Sequence, residues 1–422
     1  MKKTFLRTAC LILTLIFLLP LFSACTDEKV YKLGPYTIEE DEYSYLMGMH
    51  KKKLLESIGL DESYLNLPTG ASNGKTYGEY IEDRYREEFE QSVYTLLFSQ
   101  ALFDEYGLEL TPAQKSNISA TANAIIYEFG GGSVGVFNDI AKNFGFSDDT
   151  LFRIYEKQAK ESAVIDHLFG KGYHKLTDEQ KEDYYKQDYI HFQVIIVNTL
   201  YKKIENSHGD IIYRNLTESE RKTMLKLEEE ISLFLCSNDL TYNYQLLPKY
   251  VGKEDVTTIT YEDIFNCVKI NDDMLYPQGY YMLKPSSELM QYSNTLSQAL
   301  LTAEGDVSRT KAKRYFEGDG EITTEDGKET VKEGDYFEYG TAFVKRLPID
   351  DGAWKREENK IFFEDSNFIV GAAQYAFFRT LQSYEDSSPY TLMVNNDLKS
   401  RYSLIKVLAN ELDYYYIYQK VN

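Results

Sequence analysis

Helix-forming signals fill residues 36–187 almost without a break, and they constrain the fold more than any other feature of the chain. Thr37 and Thr177 each stand three residues before a Glu or Gln, the spacing of a capping box, in which the two side chains satisfy free amides at a helix start. Thr217 repeats the pattern further along. Apolar side chains recur at helical spacing over about residues 77–106, namely Ile81, Tyr85, Phe89, Val93, Leu96 and Leu97. The sequence therefore predicts a helical module at the start of the folded chain.

Turn residues divide this module into separate helices. Thr111 followed by Pro112 predicts a helix start, because proline fits the first helical position. The glycine-rich turn at 130–135 ends that helix, and Ser147 caps another that runs to Phe169. We therefore expect several helices joined by short turns.

The pattern changes where the helical module ends. Residues 190–197 are a compact run of β-branched and aromatic side chains, which predicts a buried strand. A second strand pair is predicted within 334–344, after an acidic, glycine-rich stretch at 317–334 that fits a hairpin insertion. From 348 to the end the chain becomes helical again, most clearly at 369–381. Helices and strands in separate regions predict an α+β fold.

The first 24 residues have the features of an export signal. Lys2, Lys3 and Arg7 form a basic start, and residues 11–22 are an apolar stretch that is too short to span a bilayer. Residues 22–25, Phe-Ser-Ala-Cys, form a small-residue cleavage site. This site resembles the lipobox of bacterial lipoproteins, with Phe22 where leucine is usual.

The lipobox resemblance implies cleavage before Cys25 and lipidation of its thiol. Residues 25–35 are then a tether, and the protein is expected on the extracytoplasmic face of the cell membrane. An ordinary cleaved signal and an uncleaved transmembrane anchor are the alternatives.

The charge of the chain argues against nucleic-acid binding. Loss of the leader, which carries three cations and no acid, changes the net charge from −21 to −24. Affinity for nucleic acid comes from Lys and Arg that displace counterions at phosphates, and the sequence has no basic tract for this. We predict no nucleic-acid partner.

The mature chain keeps two cysteines besides Cys25, namely Cys236 and Cys267. They form either one disulfide or two separate buried thiols, and the sequence leaves both open. The chain has 37 Tyr and 23 Phe against one Trp. Tyrosines suit a surface that grips varied partners, and they also suit half-buried positions in helices and strands.

Two glycine motifs lie in the turn at 130–135. Residues 131–135 match G-x-S-x-G, and Gly130, Gly132 and Gly135 match G-x-G-x-x-G, but both motifs require a strand before them. Residues 120–129 predict a helix instead, so the motifs mark an interhelical turn. No Cys or His pair has zinc spacing, and we predict neither metal nor cofactor.

Several segments form a recognisable series along the chain. Residues 176–180, Leu-Thr-Asp-Glu-Gln, and the tyrosines at 184–185 precede the run Phe-Gln-Val-Ile-Ile-Val at 192–197. The later segments are 227–231 with Ser-Asn-Asp-Leu at 237–240, Gly-Tyr-Tyr at 279–281, the stretch 298–308 that ends in Gly-Asp-Val-Ser, and Tyr-Gly-Thr-Ala-Phe-Val-Lys at 339–345. Upstream, Gly-Phe-Ser-Asp-Asp at 145–149 stands before a long helix.

In this order the segments resemble the PrsA/SurA group of extracytoplasmic foldases, in which a helical chaperone module carries a parvulin-type peptidyl-prolyl isomerase domain. Residues 192–197 resemble the first parvulin strand, and 339–345 resemble the closing strand. The resemblance implies a discontinuous helical module, similar to the SurA N-terminal module, with a parvulin-like α/β domain inserted in it. The expected domains are the signal peptide 1–24, the tether 25–35, the helical module 36–187, the parvulin-like domain 188–347 and a C-terminal segment 348–422 that completes the helical module.

The family's catalytic residues are missing from the matching positions. Parvulins carry one histidine in the first strand and one in the last, back to back under the proline pocket, and these align with Val194 and Ala342. His191 lies three residues from the first position on the opposite face of the strand, which fits an exposed strand edge. Met290 and Leu296 are approximate counterparts of the apolar pocket residues. We assign no catalytic residue.

The resemblance implies a chaperone or foldase for unfolded or nascent secreted polypeptides, attached to the membrane by its lipid, with a degenerate isomerase domain. Val194, Met290, Leu296 and Ala342 are then candidates for a proline pocket or peptide groove. The alternatives are an active prolyl isomerase with a divergent pocket, and a surface lipoprotein of another class that binds a ligand or assembles a complex.

The lipid anchor gives a first prediction. Cys25→Ser is expected to release the protein from the membrane or to leave it unprocessed, because one lipidated cysteine supplies all of its membrane affinity. Metabolic labelling with a palmitate analogue measures this. Label that persists in Cys25→Ser contradicts the prediction.

Overall fold

The computed structural model describes residues 29–69, 74–205, 209, 211–237, 243–255, 258–270, 276, 278–284, 294–315, 321–324, 327–330, 336–363 and 366–412. The expected signal peptide and Cys25, the tyrosine-rich end at 413–422 and Met290 lie outside these residues.

The strands are β1 (Lys29–Leu33), β2 (Tyr36–Glu39), β3 (Tyr189–Asn198), β4 (Tyr201–Glu205), β5 (Ile211–Asn215), β6 (Tyr280–Leu283), β7 (Val307–Tyr315), β8 (Glu321–Thr324), β9 (Gly327–Thr330), β10 (Tyr336–Leu347) and β11 (Leu392–Val394). The helices are α1 (Glu40–Ile58), α2 (Tyr77–Glu105), α3 (Pro112–Gly130), α4 (Val134–Ala141), α5 (Asp148–Phe169), α6 (Asp178–Asp188), α7 (Glu218–Ser232), α8 (Leu247–Val251), α9 (Tyr261–Phe265), α10 (Asn294–Leu301), α11 (Ser366–Ser387) and α12 (Asn396–Lys399). This mixture of helix and sheet confirms the α+β class.

The chain divides into two compact units, residues 1–176 with 374–422 and residues 177–373. The sequence placed the divisions at 187/188 and 347/348. Helix α6 belongs to the second unit because the rings of its Tyr184 and Tyr185 lie 5.7 Å from Phe368 and 5.6 Å from Phe363, respectively. The segment after β10 therefore packs within the second unit before the chain enters the first. That the two units fold as independent domains stays a prediction.

The first unit combines a small sheet with most of the predicted helices. The sheet has the order β11-β1-β2, and both of its pairings are antiparallel. Helices α2, α3 and α5 begin at the capping residues Thr76, Thr111 and Ser147. The predicted helix over 77–106 is confirmed as Tyr77–Glu105. The largest fully buried side chains of this unit are Tyr43, Phe89, Phe98, Phe137 and Phe169.

The start of this unit differs from the prediction. Residues 29–33, which the sequence placed in the tether, form β1, and Thr37 lies inside β2 instead of starting a helix. Helix α1 begins after Glu39, whose backbone amide donates to Glu42 Oε2 over 2.8 Å. Pairing with β1 extends the backbone at Thr37, so tertiary contacts overrode the local capping signal.

A buried carboxylate joins three elements of the first unit. Glu42 of α1 is fully buried and accepts from Lys157 Nζ of α5 at 2.6 Å and from Arg153 Nε at 3.2 Å. Lys157 Nζ also donates to the Thr37 carbonyl of β2 over 2.8 Å. Removal of either cation leaves Glu42 buried with less compensation, and such a change is strongly destabilising.

The C-terminal segment 398–412 lies across α1 and α2 and completes the core of the first unit. Leu398, Leu404, Val407 and Leu412 of this segment are buried. Polar groups of the two helices and the turn between them hold its backbone. Lys51 Nζ donates to the Val407 carbonyl over 2.7 Å, Arg86 Nη1 to the Tyr402 carbonyl over 3.2 Å, Asn410 N to the Gly48 carbonyl over 3.0 Å, and Ala409 N to Glu62 Oε1 over 3.2 Å. The 398–412 segment is therefore a structural part of this unit.

The second unit is built on a four-stranded antiparallel sheet with the order β6-β3-β10-β7. Strands β3 and β10 form its central pair, in which Val194 lies opposite Val344 and Ile196 opposite Ala342. The predicted strand at 190–197 is confirmed within β3. The predicted strand pair at 334–344 is wrong, because the described part is one long strand whose partners are β3 and β7.

Both faces of this sheet are covered, which explains why β3 is buried at nearly every position. On one face Ile195, Val197 and Phe343 pack against Leu227 and Ile231 of α7. The other face carries Ile190, Phe192, Val194, Ala342 and Val344 and packs against Ala299 of α10. The four-stranded sheet is thus the middle layer between two apolar clusters.

A second sheet in this unit contains the predicted insertion. Strands β8 and β9 form an antiparallel hairpin within 317–334, as the sequence predicted, and β8 continues a sheet with the order β4-β5-β8-β9. Strands β5 and β8 pair in parallel, and Arg214 lies opposite Thr323.

Cys236 and Cys267 are both free thiols, the first exposed and the second buried. Cys267 Sγ donates to the Tyr250 carbonyl over 2.6 Å, and Cys267 belongs to the apolar cluster around α7. Among the described residues, no helix is both long and apolar enough to cross a membrane.

The packing of the C-terminal segment gives a second prediction. Leu404 is 2% exposed and its neighbour Ile405 is 37% exposed. Leu404→Ala is expected to lower the free energy of unfolding by about 2–5 kcal/mol, because it leaves a cavity in a packed core. Ile405→Ala, the matched control, is expected to change it by less than about 1 kcal/mol. Urea unfolding followed by circular dichroism measures both, and equal small effects mean that the segment is an appendage.

Candidate functional site

The two positions that align with the family histidines lie on the same face of the central sheet. Val194 is in β3 and Ala342 in β10, and because Ile196 is the residue directly opposite Ala342, the two are diagonal neighbours, about 7–8 Å apart. Val194 is 7% exposed and Ala342 is fully buried. Ala299 of α10 belongs to the same apolar cluster as both residues. The described residues therefore close the sheet at the place where the sequence predicted a pocket or groove.

The other two candidates remain less defined. Leu296 lies in α10, the helix that covers this face, and only its backbone is described. Met290 precedes that helix and lies outside the described residues. Their part in a groove stays a prediction.

A cavity of about 340 Å³ lies beside Ile196, two residues after Val194 in β3. Ile196, the partner of Ala342 in the sheet, forms part of its wall. The rest comes from the end of β3, the start of β4, the first turns of α7, the 250 and 269–270 segments and the start of β10. The lining residues are Ile196, Asn198, Tyr201, Lys202, Leu216, Ser219, Glu220, Thr223, Met224, Tyr250, Lys269, Ile270 and Tyr339.

The wall of this cavity combines apolar and aromatic side chains with polar ones. The rings of Tyr201 and Tyr339 lie 5.6 Å apart at an angle of 31°. Tyr250 contacts Met224 Sδ through its hydroxyl at 3.7 Å. Tyrosines have few rotatable bonds, so they supply contact area with little loss of conformational entropy on binding. The volume lies in the range of pockets that bury a large part of a bound group.

An ion-pair cluster is fixed beside the apolar wall. Glu220 accepts from Arg214 Nη2 over 2.7 Å and Nη1 over 2.9 Å, and it also pairs with Lys202. The hydrogen bonds from Arg214 and Lys202 hold the pKa of Glu220 far below its usual range. The same carboxylate accepts from the Thr217 amide over 2.9 Å and so caps α7. Glu220 is therefore a fixed anion that has no proton to give near neutral pH.

A second carboxylate holds the segment that brings Tyr250 to the cavity. Glu230 of α7 is fully buried and accepts from the amides of Gln245, Leu246 and Leu247 at 3.0, 2.7 and 2.8 Å. These amides lie at and just before the start of α8, the helix that contains Tyr250. Two carboxylates of α7 thus hold parts of the cavity wall: Glu220 binds Arg214 and Lys202, and Glu230 binds the start of α8.

The polar groups that line the cavity include Lys202, Glu220 and Lys269, and the lining residues include neither histidine nor cysteine. The Thr223 hydroxyl donates to the Ser219 carbonyl over 3.0 Å, so the backbone of α7 holds its proton. Among the described residues, no group of three or more His, Cys, Asp or Glu side chains is placed to hold a metal ion.

His191 differs from its prediction as an exposed strand-edge residue. It is 7% exposed, because the 278–279 segment and the segment after β10 cover it. Its ring nitrogens face the Pro348 and Gln278 carbonyls, and it does not line the cavity. The covering segments lie more than 80 residues away along the chain, so local sequence gave no signal of them.

No family model matches the chain, and no curated protein matches it in sequence. Among solved structures the chain is similar to the foldase protein PrsA from Lactococcus lactis, with 11% identity, 89% of this chain and 97% of that chain covered, and a TM-score of 0.20. It is also similar to the foldase protein PrsA from Streptococcus pneumoniae, with 14% identity, 75% and 93% of the two chains covered, and a TM-score of 0.16. Likeness at these TM-scores carries no argument about function.

The closed packing at Ala342 gives a third prediction. Ala342→Leu is expected to lower the free energy of unfolding by about 1–3 kcal/mol, because the added carbons overfill a fully buried site. Val268→Leu, at a position 61% exposed in the same unit, is the control and is expected to have little effect. Chemical denaturation measures both. An Ala342→Leu protein as stable as the parent means that the position opens onto a groove after all.

Proposed function

We propose that this protein is a membrane-anchored extracytoplasmic chaperone that holds extended segments of unfolded secreted polypeptides. Its parvulin-like domain, residues 188–347, is in this proposal a binding module with little or no prolyl isomerase activity. The observation that carries the proposal is the tyrosine-lined cavity beside Val194 and Ala342, the positions at which the family histidines are missing.

The arrangement of the central sheet supports a parvulin-like domain. The resemblance assigns 192–197 to the first strand and 339–345 to the closing strand, and these segments lie in β3 and β10, which pair antiparallel at the centre of one sheet. The family's two histidines stand back to back, and the matching positions here share one face of neighbouring strands. Helices α7 and α10 cover opposite faces of this sheet.

The cavity suits a polypeptide ligand. A hole of about 340 Å³ with tyrosines on its wall accepts a large apolar side chain. Tyr201, Tyr250 and Tyr339 present both a ring face and a hydroxyl, which tolerates different sequences. Holding of this kind requires no catalytic group.

The missing histidines argue against efficient isomerisation. The barrier to rotation of an X–Pro bond comes from amide resonance, and a catalyst must weaken that resonance in the transition state. Val194 and Ala342 have no polar atom in their side chains, so they contribute only an apolar environment. Any remaining activity then rests on desolvation of the amide alone.

The location follows from the leader. Cleavage before Cys25 and lipidation of its thiol place the protein on the extracytoplasmic face of the membrane, where secreted polypeptides are still unfolded. After loss of the leader, the net charge of −24 disfavours binding to nucleic acid and other polyanions. The lipid is then its only membrane attachment.

The proposal predicts that filling the cavity abolishes holding. Thr223→Trp, which projects a large ring into the cavity, is expected to reduce the delay of aggregation of a denatured client several-fold, as measured by light scattering. Lys222→Trp, on the exposed side of the same helix, is the matched control and is expected to leave the delay unchanged. Ser219→Phe is a second filling variant if Thr223→Trp does not fold by circular dichroism.

A protease-coupled assay on a short X–Pro peptide separates the proposal from an active isomerase. We expect a rate close to the uncatalysed one for the parent protein. A rate typical of parvulins contradicts the proposal and favours a divergent catalytic pocket. Failure of the parent protein to delay aggregation, at any ratio to client, favours a surface lipoprotein of another class.

A further inference from the structure

Strand β11 forms one edge of the three-stranded sheet in the first unit, because the sheet has the order β11-β1-β2. The other edge, β2, is closed, since Lys157 of α5 donates to the Thr37 carbonyl over 2.8 Å. Sheets commonly protect an edge with lysine, proline, a bulge or a covering element, because unpaired backbone groups bind other extended chains. The sequence of β11, Leu-Met-Val, contains neither lysine nor proline, and its pairing with β1 has no bulge.

The hydrogen bonds to β1 show which backbone groups of β11 point outwards. The Asn395 amide donates to the Val30 carbonyl over 2.9 Å, so these two residues form a hydrogen-bonded pair of the ladder. Such pairs alternate with non-hydrogen-bonded pairs between antiparallel strands. Leu392 and Val394 take the non-hydrogen-bonded positions, so their N–H and C=O groups point away from β1. No described residue makes a hydrogen bond to these outward groups.

Apolar side chains are exposed at the same edge. Val394 lies opposite Tyr31, which is buried, so its side chain is on the core face of the sheet. It is nevertheless 36% exposed, because no strand of the sheet lies beyond β11. Met393, on the other face, is 62% exposed. A strand added at this edge therefore gains apolar contacts on both faces besides its backbone hydrogen bonds.

The charges around β11 favour one kind of occupant. Residues 387–396 carry no charge, whereas Glu385 and Asp386 precede them and Asp397 follows. These acids outnumber Lys32, the cation of the neighbouring strand β1, and the whole chain has a net charge of −21. An extended segment with apolar side chains in its middle and basic residues at its ends therefore complements this edge.

We propose that the outer edge of β11 is a further binding site of this protein, at which an extended polypeptide segment with basic ends adds a strand to the sheet. The outward N–H and C=O groups of Leu392 and Val394 pair with the backbone of the segment, which is the mode of strand addition. That the segment belongs to an unfolded secreted protein rests on the proposed function, whereas the unpaired edge itself does not.

A change of the outward backbone tests the site. The probe is a short fluorescent peptide in which valine and threonine alternate between terminal lysines, and fluorescence anisotropy measures its binding to the full chain. Val394→Pro removes an outward N–H but no bond to β1, and it is expected to weaken binding about tenfold. Val394→Thr keeps that N–H and is the matched control, expected to bind within about twofold of the parent. Equal affinity of Val394→Pro and the parent overturns the proposal.

Methylation of the peptide backbone gives a second test that does not depend on the folding of Val394→Pro. In an added strand, alternate N–H groups of the peptide face β11 and the others face solvent. One peptide is methylated at the valine amides and another at the threonine amides. We expect one of them to lose its binding and the other to keep it. Equal losses, or no loss in either peptide, overturn the proposal.

The ends of the peptide test the charge of the occupant. A counterpart with glutamate in place of the terminal lysines is expected to bind several-fold more weakly at low ionic strength, because the acidic surroundings of β11 repel it. Equal or tighter binding of the glutamate peptide overturns the assignment of a basic segment.

Two other occupants of the edge give results of their own. A second copy of the chain gives a dimer of the parent that Val394→Pro dissociates, as measured by analytical ultracentrifugation. The chain's own end gives peptide binding only after residues 413–422 are removed. Either result overturns the proposal.

The cavity variant separates this site from the proposed function. Thr223→Trp fills the cavity of the second unit and is expected to bind the peptide like the parent, because β11 belongs to the first unit. If Thr223→Trp leaves the delay of client aggregation unchanged while Val394→Pro loses the peptide, the proposed function fails and the edge site stands. The reverse pair of results refutes the edge site alone.

Discussion

The pairing of β3 with β10 is the interaction on which the second unit depends. Eight residue pairs from Gly340↔Asn198 to Leu347↔His191 place the two strands side by side in the middle of the sheet. The elements around the proposed site pack on this pair. Helices α7 and α10 cover its two faces, and the cavity opens where β3 ends. The two strands approach so closely at Gly340 that a Cβ there would lie 2.1 Å from the Val197 carbonyl oxygen.

The first unit is organised differently, around buried charges that connect elements distant in sequence. Glu42 joins α1, α5 and β2, while Lys51 and Arg86 hold the backbone of the 398–412 segment. Buried ion pairs add less net stability than apolar packing of the same volume. A buried charge without its partner is strongly destabilising, however, so each charge requires its partner in place. Apolar residues such as Leu404 supply the packing energy, and the ion pairs fix where the segment lies.

The short-range sequence pattern predicted those features of the fold that depend on neighbouring residues. The caps at Thr111, Ser147, Thr177 and Thr217 and the buried strand at 190–197 follow from short-range pattern, and the structure contains them. Thr37 carries the same capping pattern but lies in a strand, because pairing with β1 decides its backbone. Contacts between residues far apart in the chain could not be predicted, because short-range sequence does not show which segments will meet. The cavity collects Tyr201, Tyr250 and Tyr339 from remote segments, and only the abundance of tyrosine in the chain hinted at such a surface.

The late position of two essential segments sets the order in which this chain can fold. Strand β3 cannot find its partner until residue 347 has left the ribosome, and α1 and α2 lack the cover of Leu404 until almost the whole chain exists. Contacts of such sequence separation form slowly, and the apolar surfaces that await them are prone to aggregate. A protein proposed to protect unfolded polypeptides is therefore, during its own synthesis, an unfolded polypeptide that itself requires protection.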